Sequence, residues 1–96
     1  MWLLHVDLVC KPGTADELIA AYRLAFLPAI ARQQGFLEAT LLLARPPATD
    51  ALRLVIAFES EELQKRWGAS ELHRQVWGRM QTSVARFSVA FFSHVS

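Results

Sequence analysis

Residues 2–14 of the sequence read WLLHVDLVCKPGT, and this stretch decides the fold. Residues 2–10 contain no Gly or Pro and are rich in strand-forming residues, so they are predicted to form strand one. Lys11-Pro12-Gly13 is a turn signal. Thr14 is expected to be the N-cap of a helix, with Glu17 three residues later completing a capping box. A strand is therefore predicted to lead directly into a helix.

The helix after this turn is predicted to run to about Gln34 and to bury one apolar face. Apolar residues recur along it every four positions, at Leu18, Tyr22, Phe26 and Ile30. Pro28 is expected to kink the helix because it removes one backbone hydrogen bond. Gly35 is a natural C-terminal cap.

The rest of the chain repeats the pattern with two more strands, a helical region and a final strand. Strands are predicted over residues 36–45, 51–59 and 87–95, and two prolines mark residues 45–50 as a loop. Ser60 and Ser70 are expected to cap two helical pieces, the first over residues 61–67. The order predicts a single domain over residues 1–96 with an α+β, ferredoxin-like βαββαβ fold: a four-stranded antiparallel sheet with its helices on one face.

Composition excludes several classes of protein. The chain is 53% hydrophobic and 20% charged, which is not typical of a disordered or collagen-like chain. The net charge is +1 and the arginines are scattered, so nucleic acid is not an expected partner. No apolar run approaches the roughly 20 residues that span a bilayer, and no leader is visible, so a cytoplasmic protein without membrane contact is expected. Cys10 is the single cysteine and cannot form an internal disulfide.

Both faces of the predicted sheet are expected to be largely apolar. Helices on one face leave the other face open, and an antiparallel sheet with one wet face normally alternates apolar and polar residues. Six to eight exposed apolar side chains would represent about 10–20 kcal/mol of available burial. A two-fold homodimer that packs sheet on sheet is therefore expected.

Several short motifs occur in a characteristic order. They are Lys11-Pro12-Gly13 after the first strand, Gly35-Phe36-Leu37 at the second, Phe58-Glu59-Ser60-Glu61-Glu62 at the end of the third, and the stretch from Trp67 to His73. In this order and spacing the chain resembles the antibiotic biosynthesis monooxygenase (ABM) superfamily of dimeric α+β barrels, over about residues 2–93. The resemblance implies a homodimer with a pocket between sheet and helices in each subunit. It also implies a relation to cofactor-free oxygenases that oxidise aromatic polyketides or quinols with molecular oxygen, and to haem-degrading proteins.

Two positions depart from the oxygenase pattern. A Trp at the end of strand three and an Asn four residues upstream are common there, and this chain has Phe58 and Leu54 instead. Leu54 cannot donate a hydrogen bond to a phenolate, so that route to charge stabilisation is missing. The haem-degrading pattern uses an Asn and an iron-ligating His at the positions of Val6 and Trp77, so haem breakdown is not expected and no cofactor is predicted.

His73 is the candidate catalytic residue, because a neutral imidazole near pH 7 can take a phenol proton. The competing interpretation is a surface or interface histidine. The candidate substrate-binding residues are Trp67 and Phe58 as walls, Tyr22 and Arg86 as polar anchors, and Leu54 in the lining. For each of them core packing or surface exposure is the competing interpretation.

A small metal site is the less favoured use of the polar residues on strand one. His5 and Asp7 share one face of that strand, and an antiparallel strand four could bring His94 near His5. No spacing motif demands a metal, so none is predicted, and a polar cluster of Asp7 with a His or with Arg86 is the preferred interpretation. The predicted function is a cofactor-independent monooxygenase for a small quinol- or anthrone-type aromatic. The alternative is a non-catalytic dimeric barrel that binds an apolar small molecule or partner.

Overall fold

A computed structural model describes residues 1–96 as a four-stranded antiparallel sheet with all helices on one face. The elements in chain order are β1 (Trp2–Cys10), α1 (Ala15–Ala21), a π-helical turn (Tyr22–Phe26), α2 (Leu27–Ile30), β2 (Phe36–Leu43), β3 (Ala51–Phe58), α3 (Glu61–Gly68), α4 (Glu71–Gln81) and β4 (Val84–Ser93). The strand order is β2-β3-β1-β4, and every neighbouring pair is antiparallel. The predicted ferredoxin-like fold is confirmed.

The core lies between the sheet and the helices. Successive strand residues point to opposite faces, and the alternate positions Leu4, Val6 and Leu8 of β1 are buried on the helix side. On β3 the buried set is Leu52, Leu54, Ile56 and Phe58. The helices contribute Leu18, Phe26, Ile30, Trp67, Val76 and Met80 to the same apolar cluster. One layer of helices therefore covers one face of one sheet.

The first helical region is shorter and less regular than predicted. The backbone N–H of Leu27 donates to the carbonyl of Tyr22, five residues back, which closes a π-helical turn immediately before Pro28. Proline has no N–H to donate to the carbonyl four residues earlier, so a widened turn at this point is physically reasonable. The helix then ends at Ile30 and not near Gln34, and turns lead to β2.

Two of the three predicted helix caps are correct. The Ser60 hydroxyl accepts from the N–H of Leu63 at 3.2 Å, and the Ser70 hydroxyl accepts from the N–H of His73 at 3.1 Å. The capping box at Thr14 is wrong. The Thr14 hydroxyl donates instead to the carbonyls of Lys11 at 2.7 Å and Ser83 at 3.1 Å, and so ties the turn after β1 to the turn before β4.

Strand ends differ from the predictions by a few residues. β2 ends at Leu43 and not at residue 45, because the proline loop begins earlier. β4 begins at Val84, three residues before the predicted start, and ends at Ser93. A bulge between Phe36 and Glu38 pairs Phe36 with Phe58, so Phe36 lies on the helix side together with Leu41, although strict alternation along β2 would place the two on opposite faces.

The sheet surface away from the helices, called the open face below, is more polar than predicted. Its apolar members include Leu3, Val9, Val55, Leu42 and Phe92, which alternate with the buried positions. At its centre Arg53 Nε donates to Asp7 Oδ1 at 2.7 Å. This hydrogen bond holds the pKa of Asp7 below its ordinary value. The predicted partner of Asp7, Arg86, lies opposite Val9 instead.

None of the helices has both the length and the apolar character required to cross a membrane.

Candidate functional site

A cavity of about 220 Å³ lies between the helix side of the sheet and helices α3 and α4. Its lining residues are Leu4, Val6, Phe26, Leu54, Ile56, Gln64, Trp67, Gly68, His73, Trp77, Phe87, Val89 and Phe91. Ten of these thirteen are hydrophobic and none is charged. An apolar cavity of about 150 Å³ can hold benzene, so this one has room for a ligand of one to two aromatic rings.

Aromatic rings form the walls of the cavity. Trp67 is buried at the end of α3, with its ring edge-on to Phe26 at a centroid distance of 6.0 Å. Trp77 meets Phe87 of β4 edge-on at 5.2 Å. Phe87 and Phe91 remain about half-exposed because β4 is an edge strand beyond the cover of the helices. The cavity is therefore enclosed on the α3 side and open towards β4.

His73 is the one histidine among the lining residues, and its ring packs against the aromatic wall. Its ring lies perpendicular to Trp67 at a centroid distance of 5.2 Å and edge-on to Phe26 at 6.3 Å. Burial lowers the pKa of His73 below its ordinary value, because the charged form loses hydration. Its ring nitrogens form no hydrogen bond within the chain, and neither nitrogen is fully enclosed. Burial therefore favours the neutral form of the imidazole, and no protein group occupies its ring nitrogens.

Ser70 fixes the relative positions of Trp67 and His73. Its hydroxyl donates to the carbonyl of Trp67 at 2.7 Å and accepts from the N–H of His73 at 3.1 Å. The corner between α3 and α4 is thus closed by one side chain that bonds both cavity residues. This local geometry follows from the sequence, because serine is a preferred N-cap.

Gln64 is the only polar side chain of the lining that is not an aromatic ring. It lies on α3, half-buried, and its Oε1 accepts from Trp2 Nε1 at 3.2 Å. The amide Nε2 lies on the side of Gly68, which also lines the cavity. Leu54, on the opposite wall, offers no polar group.

The structure brings together three of the six predicted site residues. Trp67, His73 and Leu54 line the cavity. Phe58 is fully buried in the core, where its ring meets Phe36 edge-on at 6.0 Å, and it does not reach the cavity.

The two predicted polar anchors lie elsewhere. Tyr22 borders a separate recess beside β2, and burial raises the pKa of its hydroxyl. Arg86 is exposed on β4 and pairs in register with Val9. Neither is a lining residue of the cavity, so neither is placed to bind a ligand there.

The residues considered for a metal site do not converge. His5 pairs in register with Ala90 and packs against the ring of Phe92 at 4.7 Å. His94 lies beyond the end of β4, where its backbone N–H bonds the carbonyl of Met1. Asp7 is held by Arg53. No group of three or more metal-ligating side chains is found together.

Sequence reasoning missed Gln64, Phe26 and the aromatic side of β4. Gln64 stands between charged residues on a short helix, so it looks like an ordinary surface position. Phe26 belongs to the apolar face of the first helical region and was assigned to the core. The alternation of Phe87, Val89 and Phe91 was visible, and the strand order places their shared face beside the cavity.

Comparisons with known proteins support the fold. No protein-family model matches the sequence, and no curated protein matches it. Solved structures do match. A protein from Bordetella bronchiseptica, described as a candidate antibiotic biosynthesis monooxygenase, is 16% identical with a TM-score of 0.86, and the match covers 99% of this chain and 98% of that one. A protein of the same description from Nitrosomonas europaea is 12% identical with a TM-score of 0.84, and both chains are covered completely.

A third match, from Caulobacter crescentus and of the same description, is 14% identical with a TM-score of 0.84 and covers 99% of this chain and 90% of that one. The chain therefore shares the fold of these three proteins, each described as a candidate antibiotic biosynthesis monooxygenase.

Proposed function

We propose that the protein is a cofactor-independent monooxygenase that oxidises a small aromatic substrate of the quinol or anthrone type with O₂. The observation that carries the proposal is the unbonded imidazole of His73 at the wall of an uncharged, aromatic-lined cavity. The names of the matched structures agree with this chemistry.

His73 acts as the general base in this scheme. An electron-rich aromatic alcohol enters between Trp67 and the β4 side, and its hydroxyl proton passes to the unprotonated ring nitrogen of His73. The resulting anion is a far better electron donor than the neutral alcohol. Since the walls carry no charge and are mostly apolar, the anion has few water molecules around it on the α3 side of the cavity when it meets oxygen.

The substrate supplies all the electrons. For an anthrone-type methylene, the anion gives one electron to O₂, and the two radicals combine to form a carbon–peroxide bond. The O–O bond and the remaining C–H bond of the former methylene then break. The distal oxygen takes the C–H proton and the proton held by His73 and leaves as water, and a ring carbonyl forms. One oxygen atom is retained in the carbonyl and the other leaves as water, so the four-electron oxidation of CH₂ to C=O balances the four-electron reduction of O₂.

The cavity dimensions set the size of the substrate. A volume of about 220 Å³ matches one to two rings. The half-exposed β4 side leaves space for a larger ring system to extend out of the cavity. Positioning of the reactive carbon against His73 by the aromatic walls supplies the orientation that this mechanism requires.

A second candidate is a non-catalytic barrel that binds an apolar ligand or partner. It is favoured by Leu54, which puts a methyl-bearing side chain where a hydrogen-bond donor for the developing anion would be useful. Such a protein would bind the same aromatic molecules and release them unchanged.

The proposal includes a homodimer formed by the open faces of two copies. Leu3, Val9 and Val55 alternate along the central strands and retain exposed apolar surface. The Asp7–Arg53 pair is compatible with a two-fold axis, because in an isologous interface each copy presents both charges to the other.

Oxygen uptake tests the enzymatic proposal. The substrates are a panel of hydroquinones and anthrones, and the proteins are wild type, His73→Ala and, as a matched control, His94→Ala beyond the end of β4. His5→Ala is unsuited as a control, because uptake by that variant would be affected by any change in the interface. Uptake above the uncatalysed rate is expected for wild type and His94→Ala and not for His73→Ala. No uptake across the panel, together with equilibrium binding of the same compounds, would favour the non-catalytic candidate.

A further inference from the structure

We infer that Gln64 is a specificity-determining residue whose amide N–H₂ donates a hydrogen bond to a ligand oxygen, so that the cavity selects aromatic molecules that carry a carbonyl or phenolate oxygen. The inference rests on the proposed use of the cavity for an aromatic ligand, and it names the oxygen acceptor that such a ligand must present. It concerns binding and does not require that the ligand be oxidised.

The orientation of the Gln64 amide is fixed by its partner. An indole N–H can only donate, so the amide atom that meets Trp2 Nε1 at 3.2 Å must be the carbonyl oxygen. The other end of the amide is therefore the N–H₂ group. That group has no hydrogen-bond partner within the chain.

Trp2 is itself held firmly. It begins β1, paired with Phe58 on one side and Ser93 on the other. Its ring stacks on Phe91, with centroids 5.6 Å apart and planes inclined by 27°. A central strand and a stacked ring both hold the indole in place. The position of its N–H is therefore fixed, and the hydrogen bond keeps the Gln64 oxygen directed at Trp2 and away from the ligand. Trp2 is a positioning residue that acts through Gln64.

The free amide group lies beside Gly68, another residue of the cavity lining. A Cβ built on Gly68 would lie 3.5 Å from Gln64 Nε2, and both residues belong to the lining. Gly68 follows Gln64 by one helical turn and has no side chain to cover the amide. The donor is thus left uncovered on the side where a ligand would lie.

The chemistry of the lining complements a particular ligand. Gln64 offers donors only at its free end, and a neutral His73 offers an acceptor nitrogen. The indoles of Trp67 and Trp77 add donors, and every other lining side chain is apolar or absent. An aromatic hydrocarbon would leave the Gln64 donor unpaired, whereas a ring-bound carbonyl or phenolate oxygen pairs with it.

A pair of matched probes tests the inference. 1-Indanone and indane share a two-ring skeleton and differ in one carbonyl group. Dissociation constants for both are measured by calorimetry under nitrogen, for wild type, Gln64→Glu and Gln64→Leu. Gln64→Glu keeps an oxygen for the Trp2 N–H and offers no donor, while Gln64→Leu keeps the approximate volume and has no polar group.

We expect each Gln64 variant to raise the dissociation constant of 1-indanone roughly fivefold more than it raises that of indane. This is the factor typical of one neutral hydrogen bond. Trp2→Phe should reduce the preference for 1-indanone over indane by a smaller factor, because the Gln64 amide is then free to turn. Arg86→Ala, outside the cavity, should leave that preference unchanged.

Equal weakening of both probes by the Gln64 variants, or unchanged binding of 1-indanone, would overturn the inference, as would failure of wild type to bind either probe. Because two Gln64 variants are used and the readout is a ratio, a fold defect in one of them does not decide the outcome. Gln64-dependent binding of 1-indanone by a protein that shows no oxygen uptake with the substrate panel would support the inference and rule out the proposed oxygenase function.

Discussion

Replacing Phe92 by Asp is expected to separate the proposed homodimer into single chains. Phe92 lies on the open face opposite Leu3 and packs on the ring of His5 at 4.7 Å. Its side chain is 48% exposed, so the substitution removes little internal packing and places a carboxylate on the face that forms the proposed interface. Because the proposed dimer is two-fold symmetric, one substitution places two carboxylates in the interface.

The magnitude follows from the exposed area of the open face. Full burial of a large apolar side chain contributes about 1.5–3 kcal/mol, so the half-exposed Phe92 and Leu42 would each contribute about 1 kcal/mol on association. Leu3, Val9 and Val55 are less exposed and would contribute about 0.5 kcal/mol each, so the five side chains in each of two copies give about 7 kcal/mol, against an association cost of about 4–15 kcal/mol. The free energy gained by burial is close to the cost of association, so one substitution can shift the equilibrium from the dimer to single chains.

Phe92→Asp removes about 2 kcal/mol of burial per dimer and adds the desolvation of two carboxylates. Since 1.4 kcal/mol is a tenfold change, the dissociation constant should rise by at least roughly 100-fold. The matched control is Leu24→Asp. Leu24 is 80% exposed on the helix side, so the same chemical change there should leave association unaffected.

Sedimentation velocity over roughly 1–100 μM gives the mass of each protein, a range that brackets dissociation constants near 10⁻⁵ M. Circular dichroism confirms that each variant is folded. A single-chain mass for the wild type at the highest concentration would refute the reasoning, and so would a Phe92→Asp protein that associates as strongly as Leu24→Asp.

Three further predictions concern the cavity and its supports. Burial lowers the pKa of His73, so the unfolded chain takes up this proton first. The free energy of unfolding should therefore fall as the pH drops below about 6.5, and urea titrations should show a smaller fall for His73→Gln. Gly35→Ala should cost at least about 1–2 kcal/mol in the same assay, because Gly35 has a φ of +83° and a Cβ there would collide with Leu63. Ser70→Ala should cost about 1 kcal/mol and also reduce oxygen uptake, whereas Ser60→Ala, which caps α3 without touching His73, should cost a similar amount and leave uptake unchanged.

Much of the fold was predictable because local signals and strand pairing agree. β1 has the predicted bounds, since an unbroken run of strand formers ends at a Pro-Gly turn. Ser60 and Ser70 cap helices as expected. Thr14 does not, because the carbonyl of Ser83, far away in the sequence, competes for its hydroxyl. The π-helical turn before Pro28 was not foreseen, since the apolar residues recur every four positions through it, as they would in a regular helix.

The candidate site was predictable in part. Trp67 and His73 were found because the spacing around the cap Ser70 places them at one helix corner. Phe58 shares a face of β3 with Leu54, but it lies at the end of the strand, where it packs on Phe36 in the core. Tyr22, on the first helical region, borders the recess beside β2. Gln64 depends on Trp2, which lies 62 residues away, and no short-range pattern reveals such a contact.

The widened turn at Tyr22–Phe26 has a consequence for aligning this chain with others. A regular helix that entered at the same point and left in the same direction would contain one residue fewer, because each carbonyl in the turn reaches one residue further than usual. An alignment that permits no gap here would shift Phe26 and every position up to Gly35 by one. Comparisons of cavity residues among distant relatives should therefore be anchored separately on the segments before and after the exposed Leu24.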